Sequence, residues 1–378
     1  MLTQFMLCAQ SLAAALTAIS HSGLLTSPLL PHYQRRLVME KLSLLRLPSV
    51  PTSHLLTDSE EYLTRLASHQ PPPSILLRLV QTPRRFKDMT RLSVPEFIAL
   101  YKELKPYILR SLPVERKRCH RHYPRSLHSA DEFLLWVWHS DGTDADVLGF
   151  FFNGISRWTA TRIADHVTTA VLDAWAEEVS WPDAEERRLL YGFFTCHEKA
   201  VGALDGTHCQ ISVPYFKEDR SMSGYKKFHT QNYMICVDGL GFVIYTAGPF
   251  EGMANDRAAL NTTPFVEFPC PMLSEGELIL TDGGFAGDGE ILHQFTQNEL
   301  ARLTADERQN AASWNEDFGY NRTLIEHCIH RIKTRTQALA HRWQRDVSRQ
   351  SELFSASCRL YNRLRRLRLE YAWSSRHA

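Results

Sequence analysis

Three acids stand in local settings that suit phosphoryl-transfer chemistry. Asp205 closes the apolar run Val201-Gly202-Ala203-Leu204 and is followed by Gly206, Thr207 and His208; Asp282 closes Leu278-Ile279-Leu280-Thr281 and is followed by Gly283-Gly284-Phe285. A carboxylate at the end of a strand, followed by glycine, projects into the crevice where ligands collect in α/β sheets. A lone Asp-Gly is also a common turn. Glu326 lies in YNRTLIEHCIHRIK, where Leu324, Ile325, Cys328, Ile329 and Ile332 supply one apolar helical face and Arg322, Glu326, His330 and Lys333 another edge. Alone, that edge reads as a solvated, salt-bridged surface. Two carboxylates about 4 Å apart repel by about 4 kcal/mol at an effective dielectric near 20. Convergence of Asp205 and Asp282 therefore calls for a cation, and hard oxygen ligands select Mg²⁺ or Mn²⁺.

The elements that must position these acids follow from periodicity. AVGALDG reads as a short buried strand, NYMICVDG and FVIYTAGP as two more separated by Gly239–Gly241, and ELILTDGG as a fourth. A helix is expected from Asp256, between the third and fourth strands, and a long one around 320 to 340. Asp256 follows Asn255 and precedes an apolar stretch, the pattern of an N-cap or first-turn acid, and competes with Asp282 for the second place among the acids. The fold class expected is α/β, with the element order of a ribonuclease-H-like mixed sheet flanked by helices.

Upstream, the pattern is helical. Residues 1–90 are Leu-rich and interrupted by LPSVP and by Pro71, Pro72 and Pro73. Ser93 begins a capped amphipathic helix with Phe97, Leu100, Tyr101 and Leu104 on one face. A helix from Ala145 to Phe152, a turn at Asn153-Gly154-Ile155 and a second helix capped by Ser156 form a helix-turn-helix candidate. Trp158, Thr159 and Arg162 then stand where a recognition helix meets a major groove. An ordinary helical hairpin satisfies the same pattern. The expected divisions are 1–90, a variable helical region; 91–195, a helical domain holding the helix-turn-helix candidate; 196–345, the domain of the acids; and 346–378, a basic C-terminal helix.

Composition bounds the rest. The 378 residues, 44% hydrophobic, suffice for two or three domains with full cores. The formal net charge of +1 favours no partner, yet residues 331–378 hold twelve Lys/Arg against three Asp/Glu, which makes this end the better polyanion contact. Eight scattered cysteines, without a CxxC pair, speak against a disulfide framework and for a reducing compartment. Cys119, His120 and His122 lack a second Cys/His pair at finger spacing. The apolar N-terminal run has no Lys or Arg before His21 and is interrupted by Gln4 and Gln10, so it reads as an amphipathic helix rather than a signal peptide or membrane span.

Five blocks, ALDGTHCQI, SGYKKFHTQNYMICVDGLGFV, AGPFEGMANDRAAL, LTDGGF and NRTLIEHCIHRIK, occur in this order between about 200 and 340. They resemble the successive motifs of the DDE superfamily endonuclease domain of PIF/Harbinger-type transposases and their domesticated nuclease relatives. The last block also resembles the Tyr, Arg, Glu, Lys signature of bacterial insertion-sequence transposases: Arg322 lies four before Glu326 and Lys333 seven after it, with Tyr320 one position closer to the Arg than that pattern has it. The Asp282 block departs by reading Asp-Gly-Gly-Phe where a small residue, Gly and Tyr are commoner.

The resemblance implies a catalytic and metal-binding triad of Asp205, Asp282 and Glu326, because the fourth strand supplies the second ligand in this fold; two Mg²⁺ or Mn²⁺ ions; and Asp256, His208, Arg322 and Lys333 around the ligands. Lys226, Lys227 and His229 would neutralise DNA phosphates, and Trp158, Thr159 and Arg162 would contact DNA ahead of the catalytic domain. Implied partners are DNA, an accessory DNA-binding protein and a second copy of the chain, with no membrane, in the nucleus of a eukaryote or otherwise inside the cell. Two other readings fit part of the pattern: a catalytically silent, transposase-derived DNA-binding or scaffold protein, and a hydrolase of small phosphates, which explains neither the upstream helices nor the basic tail.

Overall fold

The computed structural model describes residues 74–110, 127–214, 218–267, 270–285 and 291–377. The apolar N-terminal run, the Pro71–Pro73 break and the Cys119, His120, His122 group lie outside the described residues.

The chain divides into two units. One contains the described residues up to Pro106 together with those from Arg363 onward. Its helices α1 (Ile75–Val80), α2 (Pro83–Thr90) and the start of α3 (Val94–Arg110) bury Leu76, Phe86, Phe97, Leu100, Tyr101 and Leu104. Phe86 and Phe97 meet edge to face with ring centroids 5.4 Å apart. Ser93 caps α3 as expected: its backbone N–H donates to Glu96 Oε2 at 2.7 Å and its Oγ accepts from Glu96 N at 3.3 Å, a reciprocal capping box. Two arginines of the basic tail bond acids of this unit, Arg363 donating to both oxygens of Glu103 at 2.8 and 2.6 Å and Arg368 to Glu96 at 2.7 Å.

The other unit spans Tyr107–Asn362. Its helical part comprises α4 (Ser129–Ser140), α5 (Ala145–Phe151), α6 (Arg157–Ala174) and α7 (Ala184–Leu189). Asp144 and Ser156 cap α5 and α6 with their side chains, and Asn153 and Gly154 turn the chain between those helices at φ 60° and 70°. Trp136, fully packed within α4, donates its indole N–H to Thr168 of α6 at 2.9 Å, so a buried polar tip is satisfied where the two helices cross.

The sheet is built from β1 (Ala200–Gln210), β2 (Thr230–Val237), β3 (Val243–Glu251), β4 (Leu278–Thr281) and β5 (Ile291–His293), in the spatial order β3-β2-β1-β4-β5. β1 runs antiparallel to β2 and parallel to β4; β2–β3 is antiparallel and β4–β5 parallel. Short helices α8 (Glu218–Ser221), α9 (Asp256–Leu260) and α10 (Gln297–Leu300) sit in the connections, and two long helices follow, α11 (Ala305–Arg335) and α12 (Val347–His377). This mixed five-stranded sheet flanked by helices is compatible with a ribonuclease-H-like fold.

Val201, Leu204, Met234, Cys236 and Ile279 pack with Leu260, Phe265 and Phe285 into one core. Phe354 of α12 stacks on Tyr233 with centroids 4.0 Å apart. Asn362 accepts from Val243 N at 2.9 Å and donates to Val243 O at 2.7 Å, which occupies the open edge of β3.

Three boundaries differ from the expectation. β1 does not stop at Asp205, because β2 keeps pairing with it as far as Gln210, whose partner is Thr230. α11 starts well before residue 320, at a Thr304 capping box with Glu307 that marks its true N-terminus. β5 has three residues, too few to leave a period in the sequence.

Candidate active site

Asp205 sits in the middle of β1, opposite Ile235, but β4 pairs with β1 only between Ala200 and Ala203. Just beyond Ala203 the strand loses its neighbour on that side, and the Asp205 side chain emerges there, 17% exposed. Its Oδ1 accepts from Gly206 N at 2.8 Å, and its Oδ2 lies 3.7 Å from Arg322. Burial pushes the carboxyl up to about 6; Arg322 and the Gly206 N–H pull it down, while Asp282 and Asp256 push it up further.

Asp282 follows β4 directly and its Oδ1 accepts from Gly284 N at 2.8 Å, which fixes the turn. Asp256 is the first residue of α9, whose N-cap is Asn255, accepting from Ala258 N at 2.7 Å. Of the two readings of Asp256, the first-turn acid is therefore the observed one. A methyl group on Gly206 would lie 2.6 Å from Asp256 Oδ1; one on Gly284 would lie 3.0 Å from Asp282 Oδ1 and 3.6 Å from Asp256 Oδ2. Gly206 thus makes room for Asp256, and Gly284 for Asp282; the Asp256 carboxyl is raised by burial and then by Asp282, against Asn232 and Lys226.

Glu326 comes from α11, on the helix edge expected for it, and is 53% exposed. Its Oε1 accepts from Arg322 at 2.7 Å, so one guanidinium, 19% exposed, serves both Glu326 and Asp205. The structure therefore brings Asp205, Asp256 and Asp282 within electrostatic reach and joins Glu326 to them through Arg322. Among the described residues, no three Asp, Glu, His or Cys side chains close into a ready cluster around one ion.

The surroundings still suit a hard cation. Asn232 Oδ1 and Thr281 Oγ1 are buried oxygens without a hydrogen-bond partner, and each belongs to a residue beside one of the acids. Asn232 is fully buried and its Oδ1 would lie 3.7 Å from a Gly206 methyl. Such orphans call for an explanation, and an ion with its waters is one. Asn232 and Thr281 were not foreseen; the only trace in the sequence is a polar residue at an apolar strand position.

The bases divide. Lys333 of α11 donates to His208 O at 2.6 Å, and burial lowers its pKa. His208, bonded to Thr230 Oγ1 at 3.0 Å, is depressed to about 4 by burial, Lys226 and Lys333, so its ring is neutral near pH 7. Lys226 and Lys227 are exposed on the β1–β2 connection, whereas His229 is half-buried with Nδ1 2.7 Å from Ser221 Oγ. A cavity of about 640 Å³ opens beside Asp205 and Glu326 and continues along His330, Lys333 and Gln337 to His341.

Among the residues expected on the second helix of the hairpin, Trp158 is 66% exposed, with the Arg162 guanidinium 4.4 Å from its ring centre. Thr159 is engaged locally, its N–H and hydroxyl both at Ser156 Oγ, at 3.2 and 2.9 Å.

No helix among the described residues is long and apolar enough to cross a membrane. No curated protein and no solved structure matches the chain. The stretch from Leu204, one residue before the first acid, to Asn362, whose amide closes the sheet edge, does match a family model, that of the DDE superfamily endonucleases, over residues 204–362.

Proposed function

We propose that the chain is a divalent-metal-dependent DNA endonuclease of the PIF/Harbinger transposase type, which hydrolyses phosphodiesters and is equipped for strand transfer. The single observation behind this reading is the approach of Asp205, Asp282 and Asp256 where β4 leaves the side of β1, with the Glu326 helix reached through Arg322, inside a stretch that matches the DDE superfamily endonuclease family.

Asp205, Asp282 and Glu326 would hold Mg²⁺ or Mn²⁺, an assignment supported by an all-oxygen donor set, by the orphaned polar atoms around it and by the upward push on Asp205 that a second cation would relieve. Bound there, the metal supplies an activated water and charge stabilisation at the departing 3′ oxygen. Asp256, held against Gly206, would position Asp205 and Asp282. Lys226 and Lys333 offset phosphate charge near the acids, and neutral His208 adds no competing cation. Trp158 and Arg162 of α6 form a second DNA contact, in a helix-turn-helix, supported by their exposure and mutual stacking.

A catalytically silent, DNA-binding descendant is the second reading, and the Arg322–Glu326 bond favours it by engaging one of the acids. Nicking of supercoiled plasmid with Mg²⁺ or Mn²⁺ separates the two. The wild type is expected to nick while Asp205→Ala, Asp282→Ala and Glu326→Ala are each reduced at least about 100-fold. Equal nicking by all four proteins sinks the enzyme reading, and loss with Asp256→Ala but not with Asp282→Ala exchanges their roles.

A further inference from the structure

The most exposed aromatic side chain among the described residues is Tyr225, at 85%. It stands at the tip of the β1–β2 connection, which closes at an isolated Met222–His229 bridge. The tip is a built structure. Ser223 N donates to Phe228 O at 3.1 Å, Lys227 N to Ser223 O at 2.9 Å, and Lys226 N to Ser223 Oγ at 3.1 Å; Lys227 takes the left-handed conformation, at φ 61°. Lys226 Nζ lies 4.8 Å from the centre of the Tyr225 ring. The charge of the same lysine reaches Asp256, His208 and Lys333, the last of which lines the 640 Å³ cavity.

An aromatic ring this exposed, followed by two lysines, buries little for the fold and offers a flat apolar face to a polyanion. Bases stack on such rings whatever their sequence. The cavity is matched in size: at about 30 Å³ per water it holds roughly 20 non-hydrogen atoms, the bulk of one nucleotide. Its walls carry Lys333 and His330 for a phosphate and Gln337 for a base edge, with Asp205 and Glu326 at the mouth.

We propose that this site takes DNA with one unpaired nucleotide at the position of attack, Tyr225 stacking on the base that remains in the helix while the cavity receives the unpaired one. The proposal rests on the DNA-endonuclease reading for its substrate. Unpairing costs least where a base is already mismatched or bulged, so selectivity for such DNA follows.

The test is binding of the full chain, in EDTA so that cleavage plays no part, to a duplex oligonucleotide and to the same duplex carrying a single bulged 2-aminopurine. The wild type is expected to prefer the bulged DNA by at least about tenfold and to raise the fluorescence of the probe, because no Phe, Tyr or Trp lines the cavity. Tyr225→Ala is expected to weaken binding of the bulged DNA about five- to 150-fold, the fold-change equivalent of 1–3 kcal/mol for one stacked base, while Tyr225→Phe and Tyr225→Trp retain it. Gln337→Ala lowers the fluorescence change without touching the tip. An equal affinity of wild type for both DNAs, or a bulge preference that survives Tyr225→Ala, overturns the proposal. Plasmid nicking is read separately: wild-type protein that prefers bulged DNA but never nicks retains the binding site and loses the nuclease reading.

Discussion

Replacing Asp205 with asparagine is expected to stabilise the metal-free protein. The Asp205 carboxyl is pushed from the ordinary 3.8 to about 6, chiefly by burial. A folded-state value above the unfolded one means that the contribution of this group is most favourable below about pH 4 and is lost as pH rises through about 6. The gap of about two pH units, at 1.36 kcal/mol each, amounts to about 3 kcal/mol of destabilisation at pH 7. Asparagine removes that charge but weakens the bond from Gly206 N and the attraction of Arg322, so the net gain expected is about 1–3 kcal/mol. The assay is thermal or urea unfolding in EDTA at pH 8, 7 and 4. Each kcal/mol raises the midpoint by about 2–4 °C for a unit of this size, and the advantage of Asp205→Asn should vanish by pH 4. With Asp205 as a ligand, Mn²⁺ at 100 times its dissociation constant would stabilise the wild type by about 2.7 kcal/mol and the variant by less, so the advantage of the variant should shrink or disappear. A variant no more stable than wild type at pH 7, or one whose advantage is the same at pH 4 and 8, refutes the electrostatic account. Metal stabilisation equal in the two proteins removes Asp205 from the ligand set.

Gly206→Ala brings a methyl to 2.6 Å from Asp256 Oδ1, so the Asp256 side chain must turn away. Since a side-chain end rather than backbone gives way, stability should change by less than about 1 kcal/mol while nicking falls about 100-fold. Unchanged nicking removes Asp256 from the site. Glu277→Ala should cost about 3–5 kcal/mol in urea unfolding, since Glu277 is fully buried and accepts from Arg187 Nε, Tyr191 OH and Ser274 N at 2.7–2.8 Å, and its loss strands a buried arginine. A cost under about 1 kcal/mol contradicts that reading. Burial alone would push Glu96 up, but its bonds from Arg368 and Ser93 N hold it below the usual carboxylate value; Arg368→Met should therefore destabilise by about 1 kcal/mol at pH 7, an effect that fades as acid protonates Glu96 in the folded protein. A loss that does not depend on pH assigns Arg368 a packing role instead.

Much of this arrangement is legible in the sequence because it depends on local chemistry. The caps at Ser93 and Ser156 and the turn at Asn153-Gly154 are set by residues within four positions of each other, and they fall where the sequence places them. The sheet strands are recognisable from apolar runs. Their ends are not: β1 continues past Asp205 because β2, twenty residues on, supplies partners, and no local signal reports a partner that distant. The site divides in the same way. Asp205, Asp282 and Glu326 carry their own motifs, whereas the approach of Asp256 to Gly206 and Gly284 arises from three separate elements. Asn232 and Thr281 sit in strand sequences where one polar residue draws no notice, and Tyr225 in a loop where an aromatic reads as incidental.

The bond from Lys333 to the His208 carbonyl has a mechanical side. It rivets the helix that bears Glu326 to the strand that bears Asp205, three residues past the acid on one and seven on the other. Ile325, Cys328 and Ile332 glue the intervening turns into the interior. The two elements consequently behave as one stiff bracket, and their spacing is fixed before any ion or DNA arrives. Adjustment at the mouth of the cavity is left to rotamers, with the Arg322–Glu326 ion pair as the part that must open. Loosening the rivet, as Lys333→Met would, should blur the spacing of the acids without altering a single ligand.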